Sequence, residues 1–135
     1  MYDNILIPVA PDHSHDPAEA LAVARRLASP GARITALSVC DSTPGYVAAE
    51  MPVALIEDTR TEVLQELRAD FKAEADVEVK VMHGHAATTI LQVAKDDGHD
   101  LIVVASHRPG LQDIFLGSTA ARVVRHAQCC VHVLR

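Results

Sequence analysis

Short apolar runs of strand length alternate along the chain with stretches of helical periodicity, and this alternation limits the possible folds most strongly. The apolar runs predict five strands, at residues 4–9, 33–39, 77–82, 101–105 and 129–134. The intervening stretches predict four helices, at residues 17–28, 53–73, 86–95 and 117–126. An alternating order of this kind predicts a parallel sheet that is covered by helices on both faces, with right-handed crossovers.

Local signals refine this prediction. Asp16 followed by Pro17 predicts a helix start, with Asp16 as the N-cap, and Ser-Pro-Gly at residues 29–31 predicts that the same helix stops there. The run Leu-Ile-Val-Val-Ala at residues 101–105 predicts a central, fully buried strand. The alternation of apolar and polar residues at 77–82 indicates a strand with one wetter face, near a sheet edge.

The composition supports one globular domain, spanning residues 1–135. Apolar residues make up 49% of the chain and aromatic residues only 3%, so the core must consist of Val, Leu, Ile and Ala. A net charge of −6 without a run of Lys or Arg argues against a nucleic-acid partner.

The expected location is the cytoplasm, without direct membrane insertion. No apolar stretch reaches the roughly 18 residues of a membrane span, and the sequence does not begin with a charged leader and an apolar segment. Cys40, Cys129 and Cys130 are odd in number and two are adjacent, so we interpret them as reduced thiols in the core.

In a doubly wound sheet, ligands bind beyond the carboxyl ends of the strands, where the strand order reverses. The most distinctive segment after a strand carries Ser106, His107 and Arg108 and then reaches Gly117-Ser118-Thr119 at a predicted helix start. Backbone N–H groups, the helix dipole and two hydroxyls at that start would suit a phosphate. The alternative is structural: Ser118 would cap the helix and Gly117 would make the turn.

These residues resemble the C-terminal signature of the universal stress protein family. The resemblance rests on Ala-Ser-His-Arg-Pro-Gly at residues 105–110 and Leu-Gly-Ser-Thr-Ala-Ala at 116–121, together with the strands at 5–9, 100–104 and 131–134. It covers essentially the whole chain and is similar to the F/G-type single-domain branch, whose members can bind ATP or AMP. It implies a three-layer α/β sandwich, Rossmann-like and of the adenine nucleotide alpha hydrolase-like type, with strand order 3-2-1-4-5.

The sequence departs from the pattern of the nucleotide-binding members. That pattern has Gly, two residues, Gly, nine residues, Gly, then Ser or Thr, whereas Ala105 and Arg108 replace the first two glycines here and eight residues separate Arg108 from Gly117. Pro109 also removes an N–H donor. An arginine can replace lost backbone contacts by a charge-assisted bond to phosphate. Ala10 stands where many binders carry Asp, and Asp12 lies two residues further along.

The resemblance implies a nucleotide site built from three parts of the chain. Adenosine would face Pro8, Val9 and Ala10, and the backbone of Val39 would bond the adenine edge. The ribose and phosphates of ATP or AMP, with or without Mg²⁺, would lie against two further groups of residues: Ala105, Ser106, His107 and Arg108, and Gly117, Ser118 and Thr119.

No metal-binding or catalytic residue is predicted. His13 and His15 follow the first strand and His83 and His85 the third, and the implied strand order separates the two pairs. Asp113 could hold an ion that bridges phosphates, but we interpret it as a surface residue. There is no Walker A motif, and adjacent Ser106 and His107 do not form a hydrolytic arrangement.

The last strand is apolar and is expected at a sheet edge, which is a liability unless it is covered. The resemblance implies a twofold homodimer through this strand, with Val131 and Val133 at the interface; the alternative is an edge shielded by Arg135.

The function that these features favour is a nucleotide-responsive regulator of stress or transport, with a regulatory protein partner such as a transporter. The alternative is a nucleotide-free family member that acts only through protein contacts. Slow ATP hydrolysis, self-modification and true nucleotide hydrolysis are the enzymatic alternatives.

Overall fold

The computed structural model describes residues 1–11, 16–40, 53–106 and 116–135, and of residues 53–59 it describes only the backbone. Five strands form one parallel sheet in the order β3-β2-β1-β4-β5, as the sequence analysis expected. Four helices alternate with them. The elements in chain order are β1 Tyr2–Pro8, α1 Pro17–Leu27, β2 Ala28–Cys40, α2 Val53–Asp70, β3 Val77–His83, α3 Ala86–Asp96, β4 Leu101–Ala105, α4 Ser118–His126 and β5 Cys130–Leu134.

Two apolar clusters lie on opposite faces of the sheet. Ile5 and Ile7 of β1 pack in the cluster under α1 and α2, whereas Leu6 between them packs in the cluster under α3 and α4. This alternation explains why β1 is apolar at consecutive positions. The strand predicted to be central, β4, is buried on both faces, but β1 is the middle strand and β4 lies between β1 and β5.

The end of α1 differs from its prediction. Asp16 caps the helix as expected, because its Oδ1 accepts the N–H of Ala18 at 2.9 Å. The helix ends at Leu27, and Ser-Pro-Gly at 29–31 does not form a separate turn but lies within β2, which starts at Ala28. The pairing of β1 with β2 shifts register between Tyr2 and Asn4, so the extra residues are accommodated as an irregularity at the start of the strand.

The interpretation of the cysteines as core thiols is correct for Cys40 but wrong for Cys130. Cys40 is buried, Cys129 is half-buried and Cys130 is exposed, and all three are free thiols. Cys130 is exposed because it opens the edge strand β5. Among the described helices, none is long and apolar enough to cross a membrane.

Replacing Gly84 with alanine should lower the free energy of unfolding by about 1–3 kcal/mol. Gly84 ends β3 with a φ of +147°, and an added Cβ would lie 2.7 Å from Oγ1 of Thr89. Gly98→Ala is the matched control: its φ is +69°, but nothing lies within 4 Å of the added Cβ. Urea denaturation should show the larger loss at Gly84, and an equal or larger loss at Gly98 would contradict the steric argument.

Candidate functional site

A cleft of about 230 Å³ opens at the carboxyl ends of β1 and β4, beside the start of α1. These two strands are neighbours in the sheet, although they are distant in the chain. Five of the site residues suggested by the sequence line the cleft: Pro8, Val9, Ala10, Ala105 and Ser106. The remaining lining residues are Ile7, Asp16, Pro17, Glu19, Ala20, Leu134 and Arg135.

The floor of the cleft at the end of β1 is held by two hydrogen bonds to β2. The N–H of Val9 donates to the carbonyl of Leu37 at 2.8 Å, and the hydroxyl of Ser38 donates to the carbonyl of Val9 at 2.6 Å. Ser38 is almost completely buried. Ser38 was not among the site residues suggested by the sequence, although a buried hydroxyl within a strand normally has a hydrogen-bond partner nearby.

The start of α4 is attached to the same edge of the sheet. The N–H of Ser106 donates to the carbonyl of Leu134 at 2.8 Å, and the N–H of Gly117 donates to the carbonyl of Ser106. These bonds bring the ends of β4 and β5 and the beginning of α4 together. Ser106 is itself buried, so its position is set by the sheet.

The first turn of α4 has no side-chain cap in the part of the chain that the structure describes. Gly117 is the N-cap, with φ −60° and ψ 155°, and Ser118 is the first helical residue. Ser118 therefore does not cap the helix, contrary to the structural alternative. Uncapped first-turn N–H groups and the positive end of the helix dipole attract an anion.

Val39 does not line the cleft, and its side chain is buried in the cluster under α3 and α4. The backbone N–H and carbonyl of Val39 point in a different direction from its side chain. The carbonyl of Leu37 bonds Val9 beside β1, and the carbonyl of Cys40 bonds Gly84 beyond β3. Because backbone groups alternate sides along a strand, those of Val39 face the β1 side, beyond the point where β1 ends.

Five further residues of the suggested site either lie outside the cleft lining or fall outside the described residues. Gly117, Ser118 and Thr119 are outside the cleft lining, although Gly117 is bonded to Ser106 of that lining. His107 and Arg108 lie outside the described residues, as do Asp12, Asp113 and the pair His13 and His15.

The structure adds three charged residues that sequence reasoning did not assign to the site: Asp16, Glu19 and Arg135. The two carboxylates stand at the start of α1, on one side of the cleft, and Arg135 follows β5 on another. Carboxylates accept hydrogen bonds from hydroxyls and repel phosphates, whereas a guanidinium attracts phosphates. Asp16 could have been predicted as a site residue from the sequence, because it caps α1, the helix that follows β1.

Of the two histidine pairs, only His83 and His85 lie in the described part of the chain. His83 and His85 lie at the end of β3, two strands away from β1. Nδ1 of His85 is 3.3 Å from Oγ1 of Thr88, within the first turn of α3. Among the described residues, no group of three potential ligands is arranged to hold a metal ion.

The strand order of the parallel sheet reverses between β1 and β4, and the cleft lies at that point. This arrangement defines the class of doubly wound α/β proteins with a ligand site at the carboxyl edge of the sheet. Residues 1–135 match the sequence model of the Universal stress protein family. The chain belongs to this family.

Two characterised relatives agree with this assignment. Universal stress protein MJ0531 of Methanocaldococcus jannaschii is 32% identical over 143 aligned positions, which cover 100% of this chain and 83% of that protein. Universal stress protein Slr1101 of Synechocystis is 39% identical over 71 positions, which cover 52% of this chain and 62% of that protein. The second similarity therefore spans less than two thirds of the relative's length.

Solved structures show the same fold. Universal stress protein UspA from Lactobacillus plantarum has a TM-score of 0.69 at 30% identity, covering 99% of this chain and 98% of that chain. A universal stress protein in complex with cAMP has a TM-score of 0.69 at 20% identity, covering 99% and 97% of the two chains.

Proposed function

We propose that this protein binds ATP or AMP at the carboxyl edge of its sheet and acts as a nucleotide-responsive regulator of stress or transport. The observation that carries the proposal is the start of α4, which has no side-chain cap among the described residues and which a backbone hydrogen bond attaches to Ser106 beside the cleft. An anion-binding helix start next to a cleft between two switch-point strands suits a ligand with a phosphate at one end.

The charges around the cleft favour one orientation of the nucleotide. The phosphates would lie at the first turn of α4, near the hydroxyls of Ser118 and Thr119 and away from the carboxylates of α1. Adenosine would lie against the chain from Pro8 to Ala10, with Asp16 and Glu19 as acceptors for the ribose hydroxyls. The outward backbone of Val39 would supply hydrogen bonds to the adenine edge.

The cAMP bound by a structural neighbour supports an adenine nucleotide as the ligand class. Mg²⁺ would enter with ATP as its phosphate complex. The described residues at the start of α4 offer hydroxyls and backbone N–H groups rather than carboxylates. Titrations with and without Mg²⁺ therefore measure whether nucleotide binding depends on the ion.

The second candidate is a nucleotide-free member that acts only through protein contacts. Ala10 and Ala105, which line the cleft in place of the Asp and Gly of many binders, favour this alternative. In both cases the regulatory partner would be a protein such as a transporter. The cytoplasmic location stays a prediction.

We also propose that β5 mediates a homodimer. The carbonyl of Leu134 bonds Ser106 after β4, so the alternation of the strand directs the backbone groups of Val131 and Val133 toward the open side. In the described part of the chain, no strand pairs with that side. A second β5 could therefore add to the sheet through ordinary strand pairing.

Calorimetric titration of nucleotide-stripped protein with ATP, AMP and GTP, each with and without Mg²⁺, tests the proposal. Saturable binding of ATP or AMP that excludes GTP would support an adenine nucleotide regulator. The absence of binding to all three would favour the nucleotide-free alternative. Release of phosphate from ATP, measured on the same sample, distinguishes a regulator from a hydrolase.

Arg108→Ala should weaken nucleotide binding by about 1.5–3 kcal/mol, because a charge-assisted bond to phosphate would be lost. Arg26→Ala is the matched control, since Arg26 is an exposed arginine on α1 and does not line the cleft. Calorimetry of the two variants gives the difference directly. Equal affinities would remove Arg108 from the site.

A further inference from the structure

A second and larger cleft, of about 520 Å³, lies between α3 and α4 at the amino ends of β4 and β5. It is therefore at the opposite end of the sheet from the proposed nucleotide site. Its volume falls within the range of small-molecule sites. The lining includes the apolar residues Leu91 and Ile102 and the basic residues Lys95, His99, Arg122 and His126.

The lining contains four basic side chains. No carboxylate of the described residues lines the cleft. Lys95 ends α3, His99 follows it, and Arg122 and His126 stand one turn apart on α4. This concentration is unexpected in a chain with a net charge of −6. Lys95 and Arg122 therefore bring two cationic side chains to one cleft.

The carboxylates nearest in sequence form hydrogen bonds with groups other than Lys95 and Arg122. Asp96 accepts the side-chain amide of Gln92 at 2.8 Å, and Asp97 pairs with Lys80 at 2.9 Å. Asp100 accepts the backbone N–H groups of residues 3 and 4 at 2.8 and 3.0 Å. Within the part of the chain that the structure describes, Lys95 and Arg122 have no carboxylate partner.

His99 supplies the second, independent observation. His99 lines the cleft and is only 6% exposed, and neither of its ring nitrogens forms a hydrogen bond of ordinary geometry with the residues that the structure describes. The nearby carbonyl of Asn4 already accepts the N–H of Asp100 at 2.9 Å. Burial lowers the pKa of His99, so the neutral ring offers one N–H donor and one acceptor. Buried polar groups of this kind normally have a partner.

We propose that this cleft binds a small organic phosphate, independently of the nucleotide site. Lys95 and Arg122 would attract the phosphate, His99 would hydrogen-bond it, and Leu91 and Ile102 would contact the apolar body of the ligand. The end of α3 opposes this arrangement less than a free helix end would, because backbone N–H groups occupy the carbonyls of Val93, Ala94 and Lys95. The alternative is that the cations only stabilise the ends of α3 and α4.

Inorganic pyrophosphate is a suitable probe, followed by NMR of isotope-labelled full-length protein. The titration is made on the wild type and on Gly117→Val. In this variant the added side chain is expected to block the proposed nucleotide site at the carboxyl edge, for the reason given in the Discussion. In both proteins we expect saturable shifts of the amides at 95–99 and 122–129 and of the His99 ring. Arg122→Ala should weaken this response about tenfold or more, the effect of losing one charge-assisted hydrogen bond.

The controls distinguish this site from the nucleotide site. Arg26→Ala removes the same charge from an exposed position on α1 and should leave the pyrophosphate affinity unchanged. Lys95→Ala provides a second variant should Arg122→Ala impair folding. Shifts confined to residues 117–119, or equal affinities for Arg122→Ala, Lys95→Ala and Arg26→Ala, would overturn the proposal. ATP titrations of the same variants report separately on the nucleotide site.

Discussion

Replacing Gly117 with valine is expected to abolish ATP and AMP binding while leaving the fold intact. Gly117 caps α4 with φ −60°, a conformation that valine also adopts, so the backbone does not require glycine for its dihedral angles. Its N–H bond to the carbonyl of Ser106 does not involve a side chain either. The branched side chain would instead occupy the space through which a phosphate approaches the first-turn N–H groups.

The expected loss exceeds about 100-fold in affinity, because two or more charge-assisted bonds from the helix start would disappear together. Calorimetry measures the loss, and circular dichroism with thermal denaturation checks the fold. Ser118→Ala is the matched control: it removes one hydroxyl but leaves the backbone accessible. Nucleotide affinity retained in folded Gly117→Val would exclude the start of α4 as the phosphate site.

The second large effect is expected at the edge strand: Val133→Asp should convert the proposed homodimer into monomers. The backbone of Val133 faces the open side of β5, and a carboxylate beside the twofold axis would approach its copy in the partner. Sedimentation velocity measures the change. Met82→Asp is the matched control, because Met82 is an exposed residue of β3, the strand at the opposite edge.

Val133 also packs partly against the cluster under α3 and α4, so aspartate could destabilise the protomer itself. Val133→Pro separates the two effects. It removes an N–H that faces away from β4, so the β4–β5 ladder keeps its hydrogen bonds, whereas pairing with a second copy loses one. Dimers that persist in both folded variants would place any interface elsewhere.

Leu134 and Arg135 connect the two proposals. Both line the first cleft; Leu134 is the last residue of the edge strand that would form the dimer, and Arg135 follows it directly. A change in the position of β5 would therefore change one wall of the nucleotide site. This proximity gives a physical route by which nucleotide binding and assembly could influence each other.

Local patterns in the sequence predicted most of the secondary structure correctly. The apolar run at 101–105 coincides with β4, and Asp16 with Pro17 marks the start of α1. These signals are strong because periodicity and capping depend on neighbouring residues. The start of β2 was missed because β1 pairs with Ala28 as well as with Arg33 and the residues after it, so the irregular stretch that contains Pro30 and Gly31 lies inside the strand.

The sequence by itself determined the alternation of strands and helices, the apolar core and, through family resemblance, the strand order and the residues of the candidate nucleotide site. Only the tertiary structure decided that Asp16, Glu19 and Arg135 meet at the first cleft, and that Lys95, His99 and Arg122 meet at the second. Arg135 is distant in the chain from Asp16 and Glu19, and Arg122 lies on a different helix from Lys95. Periodicity specifies which face of an element is buried, but the meeting of distant side chains depends on how the crossovers place whole elements against each other.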